Sequence, residues 1–125
     1  MRKVPGAEAR EVAIKCVRRI EESESYANII VPKILEETSL GNLDRNLVTE
    51  IVYGSTRMKR ALDWVFDRYL AEPPPPALRA SLRVGAYQLL FMRVPDHAAV
   101  NATVSASSKR NKGVVNAVLR KISRE

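Results

Sequence analysis

The stretch Pro73-Pro74-Pro75-Pro76-Ala77-Leu78-Arg79-Ala80-Ser81-Leu82-Arg83-Val84-Gly85-Ala86-Tyr87-Gln88-Leu89-Leu90 decides how this chain folds. Its four consecutive prolines cannot lie inside a helix, and they favour an extended polyproline II linker. Apolar residues then recur at helical spacing, which predicts the most apolar helix of the protein, ending near Met92. Arg79 and Arg83 lie one turn apart on one edge of this helix. The prolines therefore separate two helical halves.

The rest of the chain also has helical periodicity, and no segment alternates as a half-buried strand does. The first predicted helix covers roughly residues 7–22, with an apolar stripe that leaves Arg10 and Arg18 on other faces. Further helices are predicted at about 27–37, at 43–57 with another directly after it, at 95–108 and from 113 onward. Gly54 indicates a bend or a close helix crossing.

The predicted fold class is therefore all-α, with about seven helices in two small helical bundles. Its length of 125 residues, with 46% hydrophobic and 28% charged residues, predicts a single domain. Within it we expect an N-terminal subdomain of about residues 1–72, a proline linker at 73–76 and a C-terminal subdomain of about 77–125.

Several kinds of chemistry are missing from the sequence. The single Cys16 cannot form a disulfide within the chain, which favours a reducing, cytoplasmic setting. One histidine, His97, completes neither a metal site nor a catalytic triad, and the five glycines form no phosphate-binding loop. No apolar run is long enough to span a membrane, and no signal-peptide core follows Met1. We expect this chain alone to have no catalytic residues, no metal, no cofactor and no enzymatic activity.

The positive charge is concentrated at the two ends of the chain. Residues 1–20 contain six Lys or Arg against two Glu, and residues 98–124 contain six against none. The middle, residues 21–97, has a net charge of −2, although the whole chain carries +7. Clustered cations of this kind are typical of a polyanion-binding surface. A basic surface that serves only solubility is the alternative.

Five strings of residues, taken in order, resemble the NusB family. They are Glu50-Ile51-Val52-Tyr53-Gly54-Ser55-Thr56-Arg57, Ala61-Leu62-Asp63-Trp64, Leu82-Arg83-Val84-Gly85-Ala86-Tyr87-Gln88-Leu89-Leu90, Pro95-Asp96-His97-Ala98-Ala99-Val100-Asn101 and Val115-Asn116-Ala117-Val118-Leu119-Arg120. The resemblance covers nearly the whole chain and implies an all-α, RNA-binding domain of two helical subdomains. The Tyr-Gly-x-x-Arg string and the Asn-Ala-Val-Leu-Arg ending are most similar to the N-terminal domain of RsmB-type ribosomal RNA cytosine-5 methyltransferases.

The resemblance implies an RNA-binding module that targets ribosomal RNA for an attached methyltransferase domain. One alternative is a free-standing transcription antitermination factor that binds leader RNA together with a small-subunit ribosomal protein. A further alternative is a protein-interaction or dimerisation domain. The chain departs from the family at Ala102, where a Glu is usual, and in the small residues Ser105 to Ser108. It has no cofactor-binding glycine loop and no catalytic cysteine pair, so we expect it not to methylate RNA by itself.

The residues predicted to bind RNA lie at both ends of the chain: Arg2, Lys3, Arg10, Lys109, Arg110, Lys112 and Arg120. The first three match the basic N-terminal segment that the resemblance associates with RNA. The next three flank the N-terminus of the last helix, where backbone N–H groups and the helix dipole favour an anion. The alternatives are a solvated tail, a soluble turn and, for Arg120, an ion pair with Asp63 or Asp67.

Three aromatic residues, Tyr53, Trp64 and Tyr87, have helical spacing with the apolar residues around them. We expect them to pack in the core rather than to stack on bases. Asn116 is expected to be structural, because an amide within an apolar run usually satisfies a neighbouring backbone group.

Overall fold

In a computed structural model, residues 4–124 are described, and they contain only helices and their connections. The elements are α1 (Ala7–Ser23), α2 (Ala27–Glu36), α3 (Asn42–Arg57), α4 (Lys59–Asp67), α5 (Pro76–Phe91), α6 (Asp96–Ala106), a short 3₁₀-helix (Lys109–Asn111) and α7 (Lys112–Arg124). The predicted all-α fold is confirmed, and the described residues form the expected number of α-helices.

Helix α5 lies at the centre of the molecule. All residues from Ala80 to Gln88 are buried, so this helix has no solvent-exposed face over more than two turns. It packs against α1, α3, α4, α6 and α7. A helix that is mostly apolar around its circumference is expected to be buried in this way.

The apolar core consists of two clusters on different faces of α5. Helices α1, α2 and α3 form the first cluster, together with Ala80 and Val84 of α5. The second contains residues of α5, α6 and α7 and also Leu62 and Phe66 of α4. The chain therefore passes from the first cluster to the second between α3 and α4, before it reaches the four prolines. The predicted subdomain boundary at residues 73–76 stays a prediction. The sequence pattern predicts Pro76 as the end of the linker, but Pro76 is the first residue of α5. A proline is tolerated there because the missing N–H would have no partner within the helix.

The buried polar side chains of α5 bond to neighbouring helices. Arg83 forms a bidentate ion pair with Asp63 of α4, with Nε–Oδ1 and Nη2–Oδ2 distances of 2.9 and 2.8 Å. Its Nη1 also lies 3.5 Å from Glu21 Oε2 of α1. Burial lowers the pKa of Arg83, but the bonds and charges of these two carboxylates outweigh it, and the pKa is raised. The Tyr87 hydroxyl donates to Glu50 Oε2 of α3 at 2.8 Å.

Gly54 lies at the close helix crossing that the sequence predicts. Helix α3 crosses α5 there, and the ring of Tyr87 occupies the space that a Cβ on Gly54 would need. The ring is held in place by burial and by its hydroxyl bond to Glu50. The absence of a side chain at position 54 therefore sets how closely these two helices approach.

We predict that Gly54→Ala destabilises the protein by about 1–3 kcal/mol, because the added methyl group overpacks the crossing with Tyr87. Gly113→Ala is the matched control, since nothing lies within 4 Å of a Cβ at that helical position. Gly113→Ala should leave the free energy of unfolding unchanged or raise it by up to about 1 kcal/mol. Urea unfolding followed by circular dichroism measures both changes. Equal stability of the two variants would show that the crossing has room for a side chain.

Candidate nucleic-acid interface

The connection between α6 and α7 is an exposed basic segment of the C-terminal part. We call residues 109–112 the basic connection. Lys109 and Arg110 are exposed and lie in the 3₁₀-helix, whereas Lys112 is half-buried and begins α7. The Lys112 ammonium donates to the Ser105 carbonyl at 3.3 Å. This bond ties the connection to the last turn of α6, where a cation complements the helix dipole.

The start of α7 is suited to an anion. Its first turn contains no acidic residue. The first N–H groups of a helix have no partner within the helix, and they carry the positive end of its dipole. Because the 3₁₀-helix leads directly into α7, an anion at the start of this helical segment would meet the exposed cations Lys109 and Arg110.

Arg120 is also exposed, but it lies apart from the basic connection. It follows Lys112 by eight residues, which corresponds to about 12 Å along the helix. Its Nε donates to Asn116 Oδ1 at 3.0 Å. The alternative ion pair with Asp63 or Asp67 is wrong, because Arg79 and Arg83 of α5 already hold those carboxylates. Asn116 accepts this exposed bond from Arg120 of its own helix, so the prediction that it satisfies a neighbouring backbone group is wrong.

The end of α7 that carries Arg120 packs near the start of α6. The Ser123 hydroxyl donates to Asp96 Oδ2 at 2.8 Å and joins the two helix ends. A surface cleft of about 420 Å³ lies there, lined by Asp96, His97, Val100, Asn101, Arg120, Ser123 and Arg124. The structure therefore brings Lys109, Arg110 and Lys112 together and places Arg120 at the opposite end of the α6–α7 pair.

The expectation that Arg10 lies on an exposed face of α1 is wrong. Its exposed fraction is 7%. Its Nε donates to Gln88 Oε1 of α5 at 3.0 Å, and Gln88 Nε2 donates to Thr103 Oγ1 of α6 at 2.9 Å. Burial lowers the pKa of Arg10, and attraction to Asp44 offsets this only partly. Arg10 thus belongs to a buried polar chain that links α1, α5 and α6.

The start of α1 nevertheless lies beside α6. A Cβ built on Gly6 would be 3.8 Å from the Ala102 Cβ. Gly6 has a φ of 83°, in the left-handed region that favours glycine. Ala102 is buried at this contact, and its small side chain permits the close approach of the two elements. Arg2 and Lys3, the other N-terminal residues predicted to bind RNA, lie outside the described residues.

An outward face of α1 adds cations that the sequence prediction left out. A concave surface of about 380 Å³ is lined by Glu11, Ile14, Lys15, Arg18, Arg19, Glu22 and Ala106. Arg18 pairs with Glu22 at 3.0 Å, while Lys15 and Arg19 are exposed. Ala106 precedes Lys109 by three residues, so this face adjoins the basic connection. The sequence pattern that could have predicted this basic face is the recurrence of Lys or Arg at positions i, i+3 and i+4 of α1, opposite its apolar stripe.

The aromatic predictions have mixed outcomes. Tyr87 is buried, as expected, whereas Tyr53 is 39% exposed. The prediction is wrong for Trp64, which is 67% exposed. Position 64 lies midway between the buried residues Leu62 and Phe66, and therefore on the opposite side of α4.

Cys16 and the metal-ligating side chains do not form a cluster in the described residues. Cys16 is buried, and burial raises the pKa of its thiol to about 11, so it stays protonated at neutral pH. Residues 4–124 contain no group of His, Cys, Asp and Glu that could hold a metal ion. Among the same residues, none of the helices is both long enough and apolar enough to cross a membrane.

Comparison with known proteins gives consistent matches. The model of the NusB family matches residues 7–124. A Bacillus subtilis (strain 168) protein named probable ribosomal RNA small subunit methyltransferase B is 32% identical over 123 residues, which are 93% of this chain and 28% of that protein. The chain thus spans under a third of the length of this relative.

Two solved structures share the fold. The structure of T. maritima NusB has a TM-score of 0.83 at 20% identity, and the match covers 99% of this chain and 94% of that one. A chain in the crystal structure of antitermination factors NusB and NusE in complex with dsRNA has a TM-score of 0.79 at 18% identity, covering 94% and 95%.

The burial of Arg10 generates a prediction about stability. Arg10→Ala should cost about 1–3 kcal/mol, because it leaves the buried Gln88 oxygen without its donor. Arg18→Ala removes an arginine of the same helix whose ion pair is solvent-exposed, and it should change stability by less than about 1 kcal/mol. Denaturant unfolding of the two variants measures the difference. Equal losses would show that the buried polar chain does not stabilise the fold.

Proposed function

We propose, because the chain belongs to the NusB family, that it is an RNA-binding module that positions ribosomal RNA for a methyltransferase. The observation that carries this proposal is the basic connection. Lys109 and Arg110 are exposed there, directly before a helix N-terminus whose first turn holds no carboxylate. Phosphate groups of RNA provide the charge and the acceptor oxygens that such a surface binds.

The comparisons favour a role in ribosomal RNA methylation. Identity is 32% to the ribosomal RNA small subunit methyltransferase of B. subtilis, against 20% and 18% to the two NusB structures. The chain covers only 28% of that methyltransferase, so the catalytic step is assigned to a different domain. This chain would contribute affinity and orientation. The second candidate is a free-standing antitermination factor that acts with a small-subunit ribosomal protein. It is supported only by the fold that the chain shares with the structure of antitermination factors NusB and NusE in complex with dsRNA.

The proposed contacts are mainly to phosphate. Lys109, Arg110 and Lys112 lie together, and the α1 face with Lys15 and Arg19 adjoins them. Arg120 is available for a more distant phosphate of the same strand, and Arg2 and Lys3 remain proposed contacts from the sequence alone. Contacts of this kind fix the position of the RNA but do not read its sequence. Arg10 acts through the packing of α1 rather than by touching RNA.

The salt dependence of RNA binding tests this electrostatic account. With about four phosphate contacts to a single strand, log K should fall against log salt with a slope of roughly −3. Lys109→Glu with Arg110→Glu should weaken binding on the order of 10-fold or more at low salt, because two contacts become repulsive. Fluorescence anisotropy of a labelled ribosomal RNA fragment measures both quantities.

The matched control is Lys33→Glu with Arg93→Glu. It makes the same change in net charge at exposed positions of α2 and of the connection between α5 and α6, away from the basic connection and from α4. The control should retain most of the affinity. Equal losses of affinity in both double variants would show that net charge, and not the basic connection, determines RNA binding. Absence of salt-dependent binding to any RNA would contradict the proposed function and favour a protein-interaction domain.

A further inference from the structure

Trp64 occupies the middle of the solvent side of α4. Leu62 and Phe66, two residues away on either side, are fully buried and lie about 200° around the helix from it. Trp64 itself is 67% exposed, so it contributes little to the core. A single exposed aromatic side chain is common on protein surfaces, so the residues around Trp64 decide what it can bind.

Two arginines flank this indole. Arg60 and Arg68 lie one turn before and one turn after Trp64, so all three share the solvent side of α4. The guanidinium carbon of Arg68 lies 5.0 Å from the centroid of the Trp64 ring, which is a cation–π distance. Since two thirds of the residue is still exposed, the indole can accept a second planar group.

The surroundings of Trp64 are positive although α4 contains two aspartates. Asp63 is bound by Arg83 and Arg79, whereas Asp67 is half-exposed and lies 3.8 Å from Arg79. Asp67 is thus balanced only in part from the α5 side, but the cations Arg60 and Arg68 outnumber it on this side of α4. Helix α7 packs against α4 and adds Lys121, whose Nζ lies 5.7 Å from the centroid of the Tyr69 ring. We call Arg60, Trp64, Arg68 and Lys121 together the α4 face.

We propose that the α4 face binds single-stranded RNA by stacking one unpaired base on Trp64, while its cations bind the adjacent phosphates. This rests on the proposed function and adds a second surface to the basic connection. RNA matches the face because it supplies a flat aromatic group and negative charge within one nucleotide. A protein partner with an apolar surface would instead have to bury the Arg60 guanidinium without supplying a counter-charge, which is costly.

The fluorescence of the chain tests the proposal directly, since Trp64 is its only tryptophan. Titration with oligoadenylate should quench the Trp64 emission, because adenine stacks on the indole. Trp64→Ala should weaken binding of labelled oligoadenylate by roughly 5- to 150-fold, the equivalent of one stacked base, and Trp64→Phe by less. Tyr26→Ala is the control, because Tyr26 is an equally exposed aromatic residue, at 72%, that lies before α2. It should bind as the unmodified chain does.

The outcomes separate this inference from the proposed function. If RNA binds with unchanged Trp64 emission and with equal affinity for Trp64→Ala, the α4 face is not an RNA surface, while the basic connection can still be one. If neither the unmodified chain nor any variant binds RNA in the anisotropy assay, both proposals fail. Emission that responds to a separate methyltransferase catalytic domain but not to RNA would make the α4 face a protein contact and overturn the inference. Far-UV circular dichroism verifies that each variant is folded.

Discussion

The burial of α5 on all sides is the constraint on which the rest of the structure depends. A helix in that position must pair every polar side chain it carries, because an unpaired buried group costs about 1–3 kcal/mol. Arg83 pairs with α4 and α1, Tyr87 with α3, and Gln88 with both α1 and α6. Apolar contacts alone would tolerate several arrangements of the outer helices. These bonds specify which helix packs on which side of α5.

This internal requirement divides the arginines into two groups with different roles. Arg10, Arg79 and Arg83 are bound to partners within the fold. The basic connection and the outward face of α1 carry cations that reach solvent. Because α1 and α6 are both fixed through Gln88, the α1 face and the basic connection are held next to each other. The fold thereby brings an outward face of α1 beside the last turn of α6, which leads into the basic connection.

Much of the fold was predictable from local patterns. Helical periodicity predicted the helices to within a few residues, and Gly54 indicated the close crossing of α3 and α5. These features depend on neighbours within one or two turns, or on the absence of a side chain. The exposed cations of the basic connection were predictable for the same reason, because a short turn between two helices is almost always at the surface.

The errors come from contacts between residues that are distant in the chain. The apolar stripe of α1 suggested an exposed Arg10, but α6 covers a second side of α1, and the partner Gln88 lies 78 residues away. For Arg120, the sequence could not show that Arg79 and Arg83 are nearer to Asp63. For Trp64, helical spacing with nearby apolar residues suggested core packing, but Leu62 and Phe66, two residues away on either side, define the buried side of α4 and leave Trp64 opposite to it.

The most direct test of the account is a map of amide chemical shifts in the ¹⁵N-labelled chain during titration with single-stranded ribosomal RNA. The account requires the largest changes at residues 109–115 and on the neighbouring outward side of α1, with α2 and the first half of α3 unaffected. Changes confined to α2 and α3, with the basic connection unmoved, would contradict it.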